Sequence, residues 1–266
     1  MEKRGLAFYL LAAFFALFVV FLYGPTITIA LLSFQGPRGN LTFPMRGLSL
    51  HWFENLFDEQ MVGDFAGSFG RSITLALIVM LLTVAISLLA GLAFRRKFRG
   101  ATVLFYLTVA SLIIPSILIS LGIGLLFAVM GLQPTWWGSA LGAHLTWTLP
   151  FGVLIMFAVF NRFDRSLEEA ARDLGASPFQ TFRHVVLPLI TPSLIGVGLF
   201  GFSLSYDEFA RSSMTAGSDN TLPLEIYGMT TNVTTPVLYA LGTMTTMFSL
   251  AVIFVCVTLV VVLRRK

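Results

Sequence analysis

The sequence is poor in charge, cysteine, histidine and lysine, and each shortage removes a class of function. Asp, Glu, Lys and Arg together make up 11% of the 266 residues, against about 25% in ordinary soluble domains. The lone cysteine, Cys256, cannot form an internal disulfide. Within its apolar run it reads as a small buried or lipid-facing residue. His51, His144 and His184 stand far apart without metal-ligand spacing, which argues against a zinc or iron site. None of the three lysines, Lys3, Lys97 and Lys266, follows glycine in a Gly-Lys-Ser or Gly-Lys-Thr context. The chain therefore has no P-loop and cannot hydrolyse ATP itself. It also lacks a Gly-x-Ser-x-Gly elbow and a His-Glu-x-x-His helix, leaving no visible nucleophile or metal helix for a membrane enzyme.

What the chain has instead is apolar length. Hydrophobic residues are 56% of the total and the mean hydropathy is +0.86. At about 20 residues per crossing, this is an all-α membrane protein of about six spans in one transmembrane domain, residues 1–266. Charges mark the boundaries, giving spans at about 8–32, 72–94, 102–130, 137–160, 190–209 and 238–263. The third and fourth are separated by the turn Gly131-Leu132-Gln133-Pro134. Pro115 and Pro150 fall inside spans and are expected to kink them, with the freed carbonyls finding partners in the bundle. The outer segment from Ser33 to Gly70, with Trp52, Phe53, Phe57 and Phe65, reads as loop plus a short amphipathic helix at the membrane surface. Trp136, Trp137 and Trp147 suit an interfacial aromatic belt. The spacing of Gly138 and Gly142 suits close helix packing.

A net charge of +4 and a pI near 9.5 invite a nucleic-acid reading, but the basic residues lie in short clusters beside apolar runs. Counted by alternate loops, thirteen of the seventeen Lys and Arg fall on one side: Lys3, Arg4, the cluster Arg95 to Arg99, Arg162, Arg165, Arg172, Arg183 and Arg264 to Lys266. Only Arg38, Arg46, Arg71 and Arg211 fall on the other. The basic side is cytoplasmic by the positive-inside rule, which puts both termini and the 161–188 loop inside.

That loop has its own local logic. Ser166 and Glu169 have capping-box spacing. Leu167, Ala170, Ala171 and Leu174 recur at i, i+3, i+4 and i+7, making one small-residue apolar face. Gly175 suits the left-handed residue that ends a helix, and Ser177-Pro178 with Gln180 starts another. Two short helices meeting at a glycine corner follow. The plain alternative is a hairpin that merely joins two spans, with Glu169 only a cap.

The full register, Glu169-Ala170-Ala171, Gly175 and Val185-Val186-Leu187-Pro188, resembles the EAA loop of permease subunits in ATP-binding-cassette importers. That resemblance implies a type I importer permease fold (MetI-like) in a bacterial plasma (inner) membrane. It also implies that Glu169, Ala170, Ala171, Gly175, Leu187 and Pro188 couple the spans to two separate ATPase subunits. ATP and Mg would be held by those subunits, with no cofactor on this chain. Val185 in place of a common Ile is a small departure.

Asp207 and Glu208 lie 15 to 19 residues beyond Pro192 and Leu189, at or near the outer boundary of the fifth span at 1.5 Å per residue. Ionisable groups in spans suggest a solute pathway. Two solvated acids at a helix end remain the alternative. The run Ser203 to Phe209, with Leu222-Pro223 and Ile226-Tyr227, is similar to spermidine/putrescine-type permeases. The two resemblances together cover about 161–247; the first half agrees in span layout only. They imply a solute pathway at Tyr206, Asp207 and Glu208 for a cationic or amine-bearing solute, with Tyr206 offering a cation-π face. They also imply an extracytoplasmic binding protein and a second, different permease chain. Nucleic acid has no place among these partners. An ion-coupled secondary transporter is the competing class; it calls for ionisable groups at mid-membrane, where this chain offers only His144.

Overall fold

The computed structural model describes residues 5–58, 63–232 and 236–264. Lys3, Arg4, Arg265 and Lys266, used above to orient the chain, lie outside the described residues. The fold is helical throughout, with one isolated antiparallel bridge between Gln35 and Leu48 and no strand among the described residues. We label the helices α1 (Leu6–Leu32), α2 (His51–Glu54), α3 (Phe65–Phe94), α4 (Ala101–Ala110), α5 (Ser116–Val129), α6 (Leu141–Asn161), α7 (Ser166–Asp173), α8 (Pro178–Thr181), α9 (Leu187–Tyr206), α10 (Leu222–Asn232) and α11 (Val237–Arg264). π-type turns at Trp136–Ala140 and Phe182–Val186 lead into α6 and α9. Among the described residues five runs are long and apolar enough to cross a membrane: Leu6–Leu32, Phe65–Phe94, Trp136–Asn161, Pro178–Tyr206 and Val237–Val262.

The third expected span, 102–130, is not one helix. It is α4 and α5, separated at Ser111 to Pro115. Pro115 lacks an N–H and disfavours helical backbone in the residue before it, so the helix stops and restarts rather than kinks. Pro150 lies inside an unbroken α6. The carbonyl it frees, Thr146 O, lies 3.3 Å from Ser111 Oγ, whose single proton it shares with the nearer Thr108 O at 2.8 Å. The fifth span also differs from 190–209. Its helical run begins at Pro178, inside the expected 161–188 loop, and stops at Tyr206. Asp207, Glu208 and Phe209 therefore follow the helix instead of ending it.

The chain divides into two compact units, Met1–Phe65 with Ile226–Leu250, and Ala66–Glu225 with Ala251–Lys266. In the first, the segment after α1 is organised by a fully buried Gln35. Its Nε2 donates to Asn40 O at 2.8 Å and its Oε1 accepts from Arg46 N at 2.7 Å. Tyr239 Oη donates to Leu41 O at 2.8 Å. After this segment, α2 and the 3-10 turn Asn55–Phe57 bury Trp52 and Leu56 and leave Leu50 and Phe57 exposed, one apolar side packed and the other open.

The second unit is centred on α3, α6 and α9. Met156, Phe160, Val186, Ile190 and Val197 form its larger apolar cluster, with Val84, Leu88 and Leu92 against it. Leu75, Val79 and Ala140 form a smaller one, with Trp136 packed against it. The helices approach closely because small residues face each other. A Cβ at Gly152 would fall 2.2 Å from Ser87 Oγ. Thr83 and Thr148 hydroxyls hydrogen-bond at 2.8 Å across the same contact. Cys256 lines a small apolar cleft with Ile195, Gly196 and Leu199, as a small apolar residue would.

Candidate functional site

Two places carry the residues singled out from sequence, at the two ends of the Pro178–Tyr206 helical run, which at 1.5 Å per residue is on the order of 40 Å long. At its start, α7 ends in a Schellman motif: Gly175 N donates to Arg172 O at 2.8 Å and Ala176 N to Ala171 O at 3.0 Å. Gly175 has φ +85°, the left-handed conformation that the motif requires and that side chains disfavour. Ser177 and Gln180 then form a reciprocal capping box, Ser177 N donating to Gln180 Oε1 at 2.8 Å and Gln180 N to Ser177 Oγ at 3.3 Å. The helix-glycine-helix corner is thus present.

Its first cap differs from expectation. Ser166 is already helical, so its hydroxyl is one position too late to cap. Asp164 does the work, its carboxylate accepting from Ser166 N at 3.0 Å. That bond holds the Asp164 carboxyl below its usual range. Of the three acids in α7, Glu168 is engaged within the chain: it pairs with Arg95, and with Arg172 at 3.7 Å. The Arg95 guanidinium lies 5.2 and 5.4 Å from the Phe160 and Phe163 ring centres. Arg165 also donates to Arg95 O at 3.2 Å. These contacts tie α7 to the end of α3 beside a cleft of about 760 Å³.

The rest of the corner is uncovered. Glu169, Ala170 and Gly175 are exposed, and Ala171 is half-buried. Leu167 is 44% and Leu174 91% exposed. Leu187 is half-buried and Pro188 exposed at the start of α9.

At the other end, the chain turns at Asp207 and folds back as residues 207–221. Tyr206 is buried, stacked on Phe202 with ring centres 5.8 Å apart and edge-on to Phe69 at 6.4 Å. Its ring is therefore committed to packing. Asp207 is exposed and enters no ion pair among the described residues. Glu208 differs: Oε1 accepts from Arg211 N at 2.9 Å and Oε2 lies 3.4 Å from Arg211 Nη1. Arg211 is fully buried. It donates to Ser116 Oγ at 2.6 Å and Thr146 Oγ1 at 3.3 Å, with its guanidinium 4.5 Å from the Trp147 ring centre. Trp147, expected in an interfacial belt, serves as this platform, while Trp137 is 62% exposed.

Beside the guanidinium, His144 bonds Ser205 Oγ at 2.8 Å through Nδ1 and Ser212 Oγ at 2.9 Å through Nε2. Ser212 Oγ gives its single proton to Glu208 O at 2.8 Å. It must then accept from His144, which places the imidazole proton on Nε2. Both ring nitrogens are therefore hydrogen-bonded within the chain. Further hydroxyls hold the segment: Ser120 Oγ donates to Arg211 O at 2.9 Å and accepts from Met214 N at 3.1 Å. Ser139 Oγ donates to Thr215 O at 2.7 Å. Sequence reading had counted Arg211 as one charge among four. The only local signal for its role was an acid three residues earlier, a spacing that also occurs on ordinary solvated turns.

These features define the class: a multi-pass helical membrane protein with a broken third span and an uncovered helix-glycine-helix corner. Residues 83–266 match the family described as binding-protein-dependent transport system inner membrane component, and the chain belongs to that family, the permease components of ABC importers. The spermidine/putrescine transport system permease protein PotC of Haemophilus influenzae is 32% identical over 248 residues, 92% of this chain and 94% of that protein. The Escherichia coli PotC is 31% identical over 88% and 87%, and the E. coli putrescine transport system permease protein PotI 29% over 84% and 81%. Among solved structures, a bacterial ABC transporter involved in import of the acidic polysaccharide alginate superposes with a TM-score of 0.71 at 18% identity, covering 97% of this chain and 98% of that one. The MetNI methionine ABC transporter gives 0.59 at 17% identity, over 75% and 95%. At these identities the structures establish the fold, and it is the importer permease fold expected from sequence.

Proposed function

We propose that this chain is half of the translocation pathway of an ATP-driven importer for a polyamine or similar amine-bearing cation. In this reading both termini and the Gly175 corner are cytoplasmic, and the solute arrives from an extracytoplasmic binding protein. The single observation that carries the coupling role is the corner itself. An apolar small-residue face at Leu167, Ala170 and Leu174 is uncovered on a segment whose base is fixed to α3 through Glu168 and Arg95. A rigid base with a bare face can transmit displacement from a docked ATPase to α9 through the continuous run from Pro178. Glu169, Ala170, Ala171, Gly175, Leu187 and Pro188 form the coupling set, and two ATPase subunits hold ATP and Mg.

The solute assignment is supported by the Asp207 carboxylate, exposed at the end of α9, and by the polyamine names of the relatives. Glu208 and Tyr206 lie beside it, and the second permease, a different chain, completes the pathway. The test is reconstitution of this chain with its ATPase, second permease and binding protein in proteoliposomes. ATP-dependent uptake of putrescine or spermidine, with ATPase turnover raised by the loaded binding protein, is the expected result. Turnover that responds equally to the empty binding protein, or uptake confined to uncharged or anionic solutes, would overturn the reading.

A further inference from the structure

The acid pair at the end of α9 is not two equivalent carboxylates. We infer that Glu208 and Arg211 form an internal charge-compensated clamp that positions the 207–221 segment, leaving Asp207 as the one carboxylate of the pair that meets a cationic solute. This rests on the proposed function for the solute's charge, and on geometry alone for the clamp.

The surroundings of the Arg211 guanidinium are those a cation-binding site would need: an aromatic face at 4.5 Å, a carboxylate oxygen at 3.4 Å and hydroxyls at 2.6 and 3.3 Å. The chain's own cation fills them. Glu208 is used twice by the same residue, once through its guanidinium and once through its backbone N–H, so its charge is compensated within the chain and each of its oxygens already has a partner. Arg211 Nη2 is buried without a hydrogen-bond partner, leaving the guanidinium without spare acceptors should Glu208 be taken by a solute. Ser116 lies on α5, and Thr146 and Trp147 on α6. The clamp therefore fixes the turn that carries Asp207 to both helices. Removing either partner leaves the other buried and uncompensated, whereas removing both leaves none.

A mutant cycle on the full reconstituted importer tests this. Glu208→Gln and Arg211→Met should each lower the melting temperature of the purified complex and cut uptake at least about tenfold. The double variant should recover most of both losses. Neither single variant should change the ratio of spermidine to putrescine uptake, because neither touches the solute. Asp207→Asn should change that ratio while leaving the melting temperature as it was. Additive losses in the double variant, or a changed ratio in Glu208→Gln, would overturn the clamp and make Glu208 a solute contact. An unchanged ratio in Asp207→Asn, with the compensation intact, would count against the cationic solute and not against the clamp.

Discussion

The Gly175 corner leaves its apolar side chains bare, while the segment after Tyr206 buries its polar ones. The first is tied to α3 at its base by Glu168 with Arg95, and its outer face, Leu174 most of all, is exposed. The second is stitched to α3, α5 and α6 by hydroxyls, an imidazole and a guanidinium: Leu222 N, for example, donates to Ser72 Oγ at 2.8 Å. In a membrane protein, apolar surface away from lipid is useful only if something covers it. A buried polar group is tolerable only if it is bonded. The corner is thus organised for an external partner and the buried cluster for internal rigidity.

The largest expected effect separates the two. Ala170→Trp adds bulk to an exposed position, so the melting temperature of the lone chain should not move. Uptake by the assembled importer should fall by about a hundredfold, equivalent to about 2.8 kcal/mol at about 1.4 per decade. Melting measured on the chain alone beside uptake by the complex checks it. A drop in melting temperature would show that the face is already covered within the chain, and the comparison would collapse. His144→Phe tests the other region. It strands the Ser205 hydroxyl and removes a donor to Ser212, at a cost of about 1–2 kcal/mol. Thermal unfolding should show the loss, with uptake reduced no more than stability explains.

These two regions were unequally legible in the sequence. The corner is local: Gly175, Ser177, Pro178 and Gln180 act within a few residues of one another, so spacing alone specified the turn and the capping box. Only the first cap was misplaced, by two residues, because Asp164 and Ser166 are both good cap residues and sequence does not say where helical backbone begins. The buried cluster is non-local. Arg211 meets Ser116 and Trp147, which are 95 and 64 positions away, and no periodicity links them. Span boundaries read from charge were sound at α1 and α11. They failed at Pro115, where backbone chemistry overrode hydropathy, and at Tyr206, where the chain folds polar residues inward instead of extending the helix.

Ser177→Ala sharpens the comparison at the corner itself. Losing the capping box costs about 1 kcal/mol of local helix stability. Because α8 continues into a packed helix, this should appear as amide hydrogen exchange about fivefold faster at Gln180 and Thr181, not as a lower melting temperature. Global destabilisation instead would mean that the corner is part of the folded core.

The smallest effect concerns Asp164, whose carboxyl is held below its ordinary range by the Ser166 amide. A group whose folded value is depressed contributes stability above its unfolded pKa, about 3.9 for Asp, and loses it as pH falls through the folded value. The start of α7 should therefore be indifferent to pH near neutrality and begin to fray only in acid. Asp164→Asn keeps an oxygen for the Ser166 amide but has no proton to gain, so its exchange rates at Ser166 and Leu167, corrected for intrinsic pH dependence, should not respond to acid. Because the side chain is fully solvated, the wild-type response should stay confined to that turn. A response that spread to His144 or Arg211 would mean that the two regions are energetically one, and that the corner moves only when the buried cluster does.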